Sequence, residues 1–133
     1  MKLLLVEDDV TTVEAVKLCL MIFKKDYFLS VSGNGSEAMR LLKTEPFDGL
    51  ILDLGLPDLD GMVVLAEVNR FSSLPVIVLT ARYNEKDRTK ALELGAKDYI
   101  LKPYNFHHLL KSINDHFGVS GQRSMGVYDA NTG

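Results

Sequence analysis

Acidic residues gather where this chain leaves its apolar runs. The stretch "LLLVEDD" passes from Val6 straight to Glu7, Asp8 and Asp9, and "ILDLGLPDLDG" (51–61) stops on Asp53 before Gly55, Pro57 and Gly61 turn the chain away. "VIVLT" ends on Thr80, and "YILKPY" delivers Lys102 followed by Pro103. Each residue alone has an ordinary reading. Asp8 or Asp9 can cap a helix, Asp53 can sit in a turn, Thr80 can be a strand-end hydroxyl and Lys102 a solvated charge. Together they suggest more. Three carboxylates in one cleft repel one another and raise their own pKa values unless a cation intervenes. Hard oxygen ligands suit Mg²⁺, which takes one or two carboxylates and keeps several waters. An ammonium and a hydroxyl beside that ion would hold the remaining oxygens of a phosphoryl group.

The elements that must bring these residues together can be read from periodicity. Five short apolar runs, at 2–6, 27–31, 49–52, 76–79 and 99–101, are mostly continuous rather than alternating. Strands buried on both faces of a parallel sheet have this pattern. Between them lie stripes at helical spacing: Val13, Val16, Leu20 and Phe23; Ala38, Leu41 and Leu42; Val64, Leu65 and Val68; a weaker Ala91, Leu92 and Leu94; and Phe106, Leu109, Leu110, Ile113 and Phe117. Asn34 with Glu37, and Asn84 with Asp87, resemble capping boxes. Asp60 is placed to cap the third helix, and Gly95 follows Leu94 as a helix-ending glycine. The pattern predicts (βα)₅, an α/β fold with helices on both faces of a parallel sheet. Ligands of such sheets bind at the carboxyl ends of the strands. With strand order 2-1-3-4-5, one of the common orders for this class, Glu7, Asp8 and Asp53 converge at the centre and Thr80 and Lys102 arrive from the other side. From Gly118 onward periodicity is lost and Gly, Ser and Asn increase, so residues 1–117 are expected to form the domain and 118–133 a flexible tail or truncated linker.

Bulk properties narrow the function. A chain of 133 residues with 47% hydrophobic and 25% charged residues is the size and composition of one globular domain. Its net charge of −3 supplies no electrostatic footprint for nucleic acid, so none is expected to bind this segment. No run is long enough for a membrane span and the first apolar run is broken at once by Glu7, which argues against a signal peptide and for the cytoplasm. The single cysteine, Cys19, lies at helical spacing among Val16, Leu20 and Phe23 and reads as a small core residue. His107 and His108 have no partner cluster and read as solvated. A nucleotide- or flavin-binding enzyme of similar architecture needs glycines in its first loop to cradle phosphate, but "VEDDVTT" has none. An aspartate-based phosphohydrolase places a second acid two residues after its nucleophile, where this chain has Gly55.

The motifs "LLLVEDD", "DLGLPDLDG", "VIVLTAR" and "GAKDYILKPY", in this order and spacing, resemble a receiver domain of a two-component response regulator from about residue 2 to 117. The resemblance implies the flavodoxin-like (βα)₅ receiver fold with order 2-1-3-4-5. It implies a phosphoacceptor signalling domain rather than an enzyme acting on other substrates. Asp53 matches the acceptor of a phosphoryl group from a sensor histidine kinase. Glu7 and Asp8 match the acidic pair that holds Mg²⁺, and the Gly55 carbonyl matches the third protein ligand beside Asp53. Thr80 and Lys102 match the residues that bind the phosphoryl oxygens, Tyr99 the aromatic that moves with the threonine, and Pro103 the residue after a cis peptide that aims Lys102 inward. Asp9 is then a helix cap. The partners implied are the kinase and an output domain or effector protein; a stand-alone receiver acting by protein contact is the alternative.

The sequence most resembles receivers of the winged-helix transcription-factor branch, which pair through the fourth helix, fifth strand and fifth helix. Arg88 and Asp98 match two partners of the cross-subunit salt bridges of that face, but the expected acid is His108 and the expected arginine is Ser112. Arg88 opposite His108 offers no attraction, and repulsion below about pH 6.5, where histidine charges. A monomer, or a weak homodimer through a variant of this face, is the expectation.

Overall fold

A computed structural model describes residues 1–117; the expected tail lies outside the described residues. Ten elements alternate: β1 (Lys2–Val6), α1 (Val10–Phe23), β2 (Phe28–Ser32), α2 (Gly35–Thr44), β3 (Gly49–Leu52), α3 (Gly61–Phe71), β4 (Val76–Thr80), α4 (Glu85–Glu93), β5 (Asp98–Leu101) and α5 (Phe106–His116). The strands form one parallel sheet of order β2-β1-β3-β4-β5.

Successive strand side chains point to opposite faces, and here both faces are covered. Leu4, Val6, Leu50, Leu52, Val76 and Val78 face Ala38, Val64, Leu65, Val68 and Ala91 from α2, α3 and α4. Leu3, Leu5, Ile51, Ile77, Leu79 and Ile100 face Val16, Cys19 and Leu20 of α1 and Leu109 and Ile113 of α5. Burying each such aliphatic side chain is worth about 1.5–3 kcal/mol, which is why β1, β3 and β4 are apolar without alternation. β2 departs from the expected pattern. It is an edge strand, and Phe28 and Val31 are 74% and 36% exposed. Phe23, assigned to the core stripe of α1, is instead 53% exposed at the last residue of that helix.

Local signals set the helix starts. Asp9, Asn34, Asp60, Asn84 and Asn105 each cap a helix with a side-chain oxygen. Asp9 accepts from both the N–H and the hydroxyl of Thr12, at 3.1 and 2.7 Å. The capping box at α2 is only half made: Asn34 accepts the Glu37 N–H, but the Glu37 carboxylate takes the Ser32 hydroxyl at 2.8 Å. Gly95 closes α4 with φ +106°, a conformation that costs glycine little. No helix among the described residues is long and apolar enough to cross a membrane.

Candidate functional site

The sheet's hydrogen bonds carry the polar residues to one edge. The Glu7 N–H donates to the Ser32 carbonyl at 2.9 Å, the Asp53 N–H to Val6 at 3.0 Å and the Lys102 N–H to Thr80 at 2.9 Å. Each site residue thus stands at or one step beyond a strand end, held by the ladder of its neighbour. Glu7, Asp53 and Thr80 are buried, at 2%, 6% and 1% exposure, whereas Asp8 is exposed. Burying two carboxylates together is costly unless they are paired. Lys102 supplies the pairing: its Nζ lies 2.7 Å from Glu7 Oε1 and 3.4 Å from Asp53 Oδ2. The Lys102–Pro103 peptide is cis.

The two buried acids are driven in opposite directions. Burial raises the pKa of Glu7, and the neighbouring Asp53 charge adds to the rise, outweighing the hydrogen bonds from Lys102 and the Asp9 N–H. Burial opposes ionisation of Asp53 as well, but the Gly55 N–H, the Thr80 hydroxyl and the Lys102 charge outweigh it, so its carboxyl lies below its ordinary value. The Gly55 N–H donates to Asp53 Oδ1 at 3.1 Å. Burial disfavours the charged form of Lys102, yet hydrogen bonding to Glu7 and the charge of Asp53 hold its pKa above the ordinary lysine value. The arrangement therefore keeps Asp53 ionised at neutral pH beside a charged lysine, the condition for a carboxylate nucleophile.

Oxygens of Glu7, Asp8 and Asp53 lie within 4.8 Å of one another. The set is oxygen only, two members are buried and the third faces solvent. Three carboxylates and the Lys102 ammonium leave a formal excess of two negative charges, which one divalent cation balances. A hard cation that keeps part of its water shell fits this donor set. An open cleft of about 520 Å³ adjoins it, lined by Asp53, Gly55, Thr80 and Arg82 among others.

Around this centre the structure places the remaining predicted residues. Tyr99 is 8% exposed, and its hydroxyl donates to the Arg82 carbonyl at 2.8 Å. His107 and His108 are exposed at the start of α5. Asp98 is engaged within the chain: Oδ2 accepts the Ser112 hydroxyl at 2.7 Å and Oδ1 accepts the Tyr99 N–H at 2.8 Å. Arg88 pairs with Glu85 on its own helix at 3.5 Å. Two residues escaped sequence reasoning. Arg82 sends its guanidinium to the loop after Asp53, and Asp58 accepts the Gly35 and Ser36 N–H groups at 2.8 and 2.9 Å, serving the start of α2 from 23 residues away. No local pattern announces either contact.

Comparison with known proteins agrees with the geometry. Residues 3–114 match the family described as the response regulator receiver domain. The chain is 34% identical over 113 residues to the transcriptional regulatory protein KdpE of Staphylococcus aureus, covering 84% of this chain and 48% of that protein. It is 38% identical over 112 residues to the transcriptional regulatory protein CpxR homolog of Haemophilus influenzae, again covering 84% and 48%. The chain thus spans about half the length of these curated relatives. The receiver domain of the sensor histidine kinase PA1611 from Pseudomonas aeruginosa PAO1, solved with a magnesium ion in its active site cleft, superposes with a TM-score of 0.77 at 28% identity, covering 89% of this chain and 98% of that one. A doubly covered parallel sheet with buried acids and a lysine at its carboxyl edge, and a family match over nearly all described residues, lead to one conclusion: this chain belongs to the response regulator receiver family.

Proposed function

We propose that the phosphoryl group is accepted on Asp53 from a phosphohistidine of a sensor kinase, with Mg²⁺ held by Glu7, Asp8, Asp53 and the Gly55 carbonyl. The observation that carries this reading is the Asp53 carboxylate itself: buried, kept ionised, and set among Glu7, Asp8, Lys102 and Thr80. When bound, Mg²⁺ offsets negative charge on the transferring group. The chain's own residues do the rest. One Asp53 oxygen attacks phosphorus, the phosphorus–nitrogen bond to the kinase histidine breaks, and its electron pair stays on that nitrogen. Lys102 and the Thr80 hydroxyl hold the phosphoryl oxygens, so that catalysis is mainly positioning and electrostatic stabilisation. Water later attacks phosphorus, releasing inorganic phosphate and restoring the carboxylate.

Signalling follows from the new charge. Thr80 moves toward the phosphoryl oxygens and Tyr99 occupies the space behind it, so phosphorylation biases an existing two-state equilibrium. Residues 1–117 act as this switch in the cytoplasm, and the output domain or effector protein it controls regulates transcription, as the names of the longer relatives indicate for those proteins. Incubation with a small acyl-phosphate donor and Mg²⁺ should add one base-labile phosphoryl group, and Asp8→Asn should weaken saturable Mg²⁺ binding. Equal incorporation into Asp53→Asn would remove the acceptor assignment.

A further inference from the structure

Arg82 stands two residues past Thr80 and takes no part in the chemistry above, yet its side chain spans the mouth of the cleft. Its guanidinium does not run free into solvent. It is 31% exposed and crosses from the loop between β4 and α4 to the loop between β3 and α3. Nη2 donates to the Leu54 carbonyl at 3.2 Å, and Nη1 lies 3.1 Å from Asp60 Oδ1. Those acceptors are the two ends of the segment that carries Gly55. Leu54 follows Asp53, and Asp60 caps α3 by accepting the Met62 N–H at 2.9 Å. The segment is pinched at the same place by an antiparallel bridge between Gly55 and Asp60 and by a hydrogen bond from the Gly61 N–H to the Leu54 carbonyl. At its other end, the Arg82 carbonyl is the acceptor for the Tyr99 hydroxyl.

We propose that Arg82 is a positioning residue, a strap between the two loops whose anchorage on Asp60 and Leu54 presets the inward position of Tyr99. The physical reason is preorganisation. A carbonyl on an untethered loop must be ordered each time it accepts a hydrogen bond, whereas one whose own side chain is tied to a pinched loop is already in place. A planar fork reaches two acceptors at once; a lysine ammonium on a flexible stem does not reproduce that grip. Cutting the anchor leaves the fold and the acids intact but loosens the acceptor of Tyr99. The strap thereby sets how far the switch is tilted before any phosphoryl group arrives.

The inference deepens the switch reading of this site, but its main test needs no phosphoryl transfer. Tyrosine-ring NMR of the full chain, with the Tyr99 signal assigned through Tyr99→Phe, reads the inward population without a phosphodonor. Arg82→Ala, Arg82→Lys and Asp60→Asn should each lower the inward-to-outward ratio by about two- to five-fold, the size that a partly exposed ion pair supplies. Asp60→Asn is the cleanest variant, because asparagine also caps helices well while the charge is lost. The Arg82→Ala/Asp60→Asn double variant should be shifted no further than Arg82→Ala alone, since Asp60 acts on the switch only through the Arg82 guanidinium. Should Arg82→Ala fail to fold, the Lys and Asn variants carry the test. An unchanged Tyr99 population in the folded variants, or fully additive effects in the double variant, overturns the strap. Acyl-phosphate incorporation measured on the same samples separates the two readings: if the parent takes up no phosphoryl group the acceptor assignment falls, while the Tyr99 signal still decides the strap.

Discussion

Gly61→Ala tests whether the start of α3 holds Asp53 in place. Gly61 is buried, and a Cβ built on it would lie 2.5 Å from the Asp53 carbonyl oxygen and 2.5 Å from the Leu54 Cα. Ordinary contact begins near 3.4 Å, so something must yield by about 1 Å. The obstacles are main chain, not the ends of flexible side chains. They are also tied down: the Gly61 N–H donates to Leu54 at 2.8 Å and the Asp53 N–H to Val6 at 3.0 Å. Forcing a methyl group into such a place costs about 1–3 kcal/mol. The helix preference of alanine over glycine returns at most about 1 kcal/mol, and less at the first helical position. The expected net loss is about 1–2 kcal/mol, read from urea unfolding at constant m-value. The effect on chemistry should be larger than on stability. A reacting group misplaced by about 1 Å can cost about 10²-fold, so acyl-phosphate incorporation should slow by about 10- to 100-fold under conditions where the variant remains folded. Gly33→Ala is the control, because a Cβ there meets nothing within 4 Å; its stability should stay within about 0.5 kcal/mol of the parent. A Gly61→Ala protein as stable and as quickly phosphorylated as the parent would refute the argument.

Two further outcomes concern the loop that caps α2 and the face of α4, β5 and α5. The N–H groups of Gly35 and Ser36 hold the Asp58 carboxyl at about 2, against an ordinary value of 3.8. A depressed folded-state pKa gives stability that is fully present above about pH 4 and is lost as pH falls toward 2; Asp58→Asn should therefore lower the melting temperature at pH 7 by a margin that vanishes near pH 2, and a margin independent of pH would contradict this. On the face of α4, β5 and α5, Asp98 is satisfied by Ser112 and Arg88 by Glu85, leaving exposed Leu92 and Leu101 as apolar contacts without the usual ion pairs. Sedimentation at pH 6 and pH 8, with and without phosphodonor, should show a monomer or a weak dimer; a tight dimer at both pH values that Asp98→Ala dissociates would show that cross-subunit pairing persists.

The sequence by itself determined the elements and which polar residues stand together at one sheet edge. Strands covered on both faces must be apolar at every position, so β1, β3 and β4 announce themselves, and the first polar residues after them, Glu7 and Asp53, must stand at one edge of a parallel sheet, with Thr80 closing β4. Caps such as Asn84 and Asp60 are legible because their partners lie two or three residues away. Where the reading failed, the missing information was not local. Phe23 has the spacing of a core residue, but whether a helix end is covered depends on where neighbouring elements stop. The Glu37 carboxylate had two candidate partners, the near N–H of Asn34 and the hydroxyl of Ser32, and only the packed position of β2 decided between them. Tertiary structure alone paired Asp58 with the α2 start, Ser112 with Asp98 and Arg82 with Asp60 and Leu54. These contacts join residues 14 to 28 positions apart in sequence, on different elements and loops. Periodicity reports which face of an element is buried; it carries no record of how far a long side chain must reach across the gap between two loops.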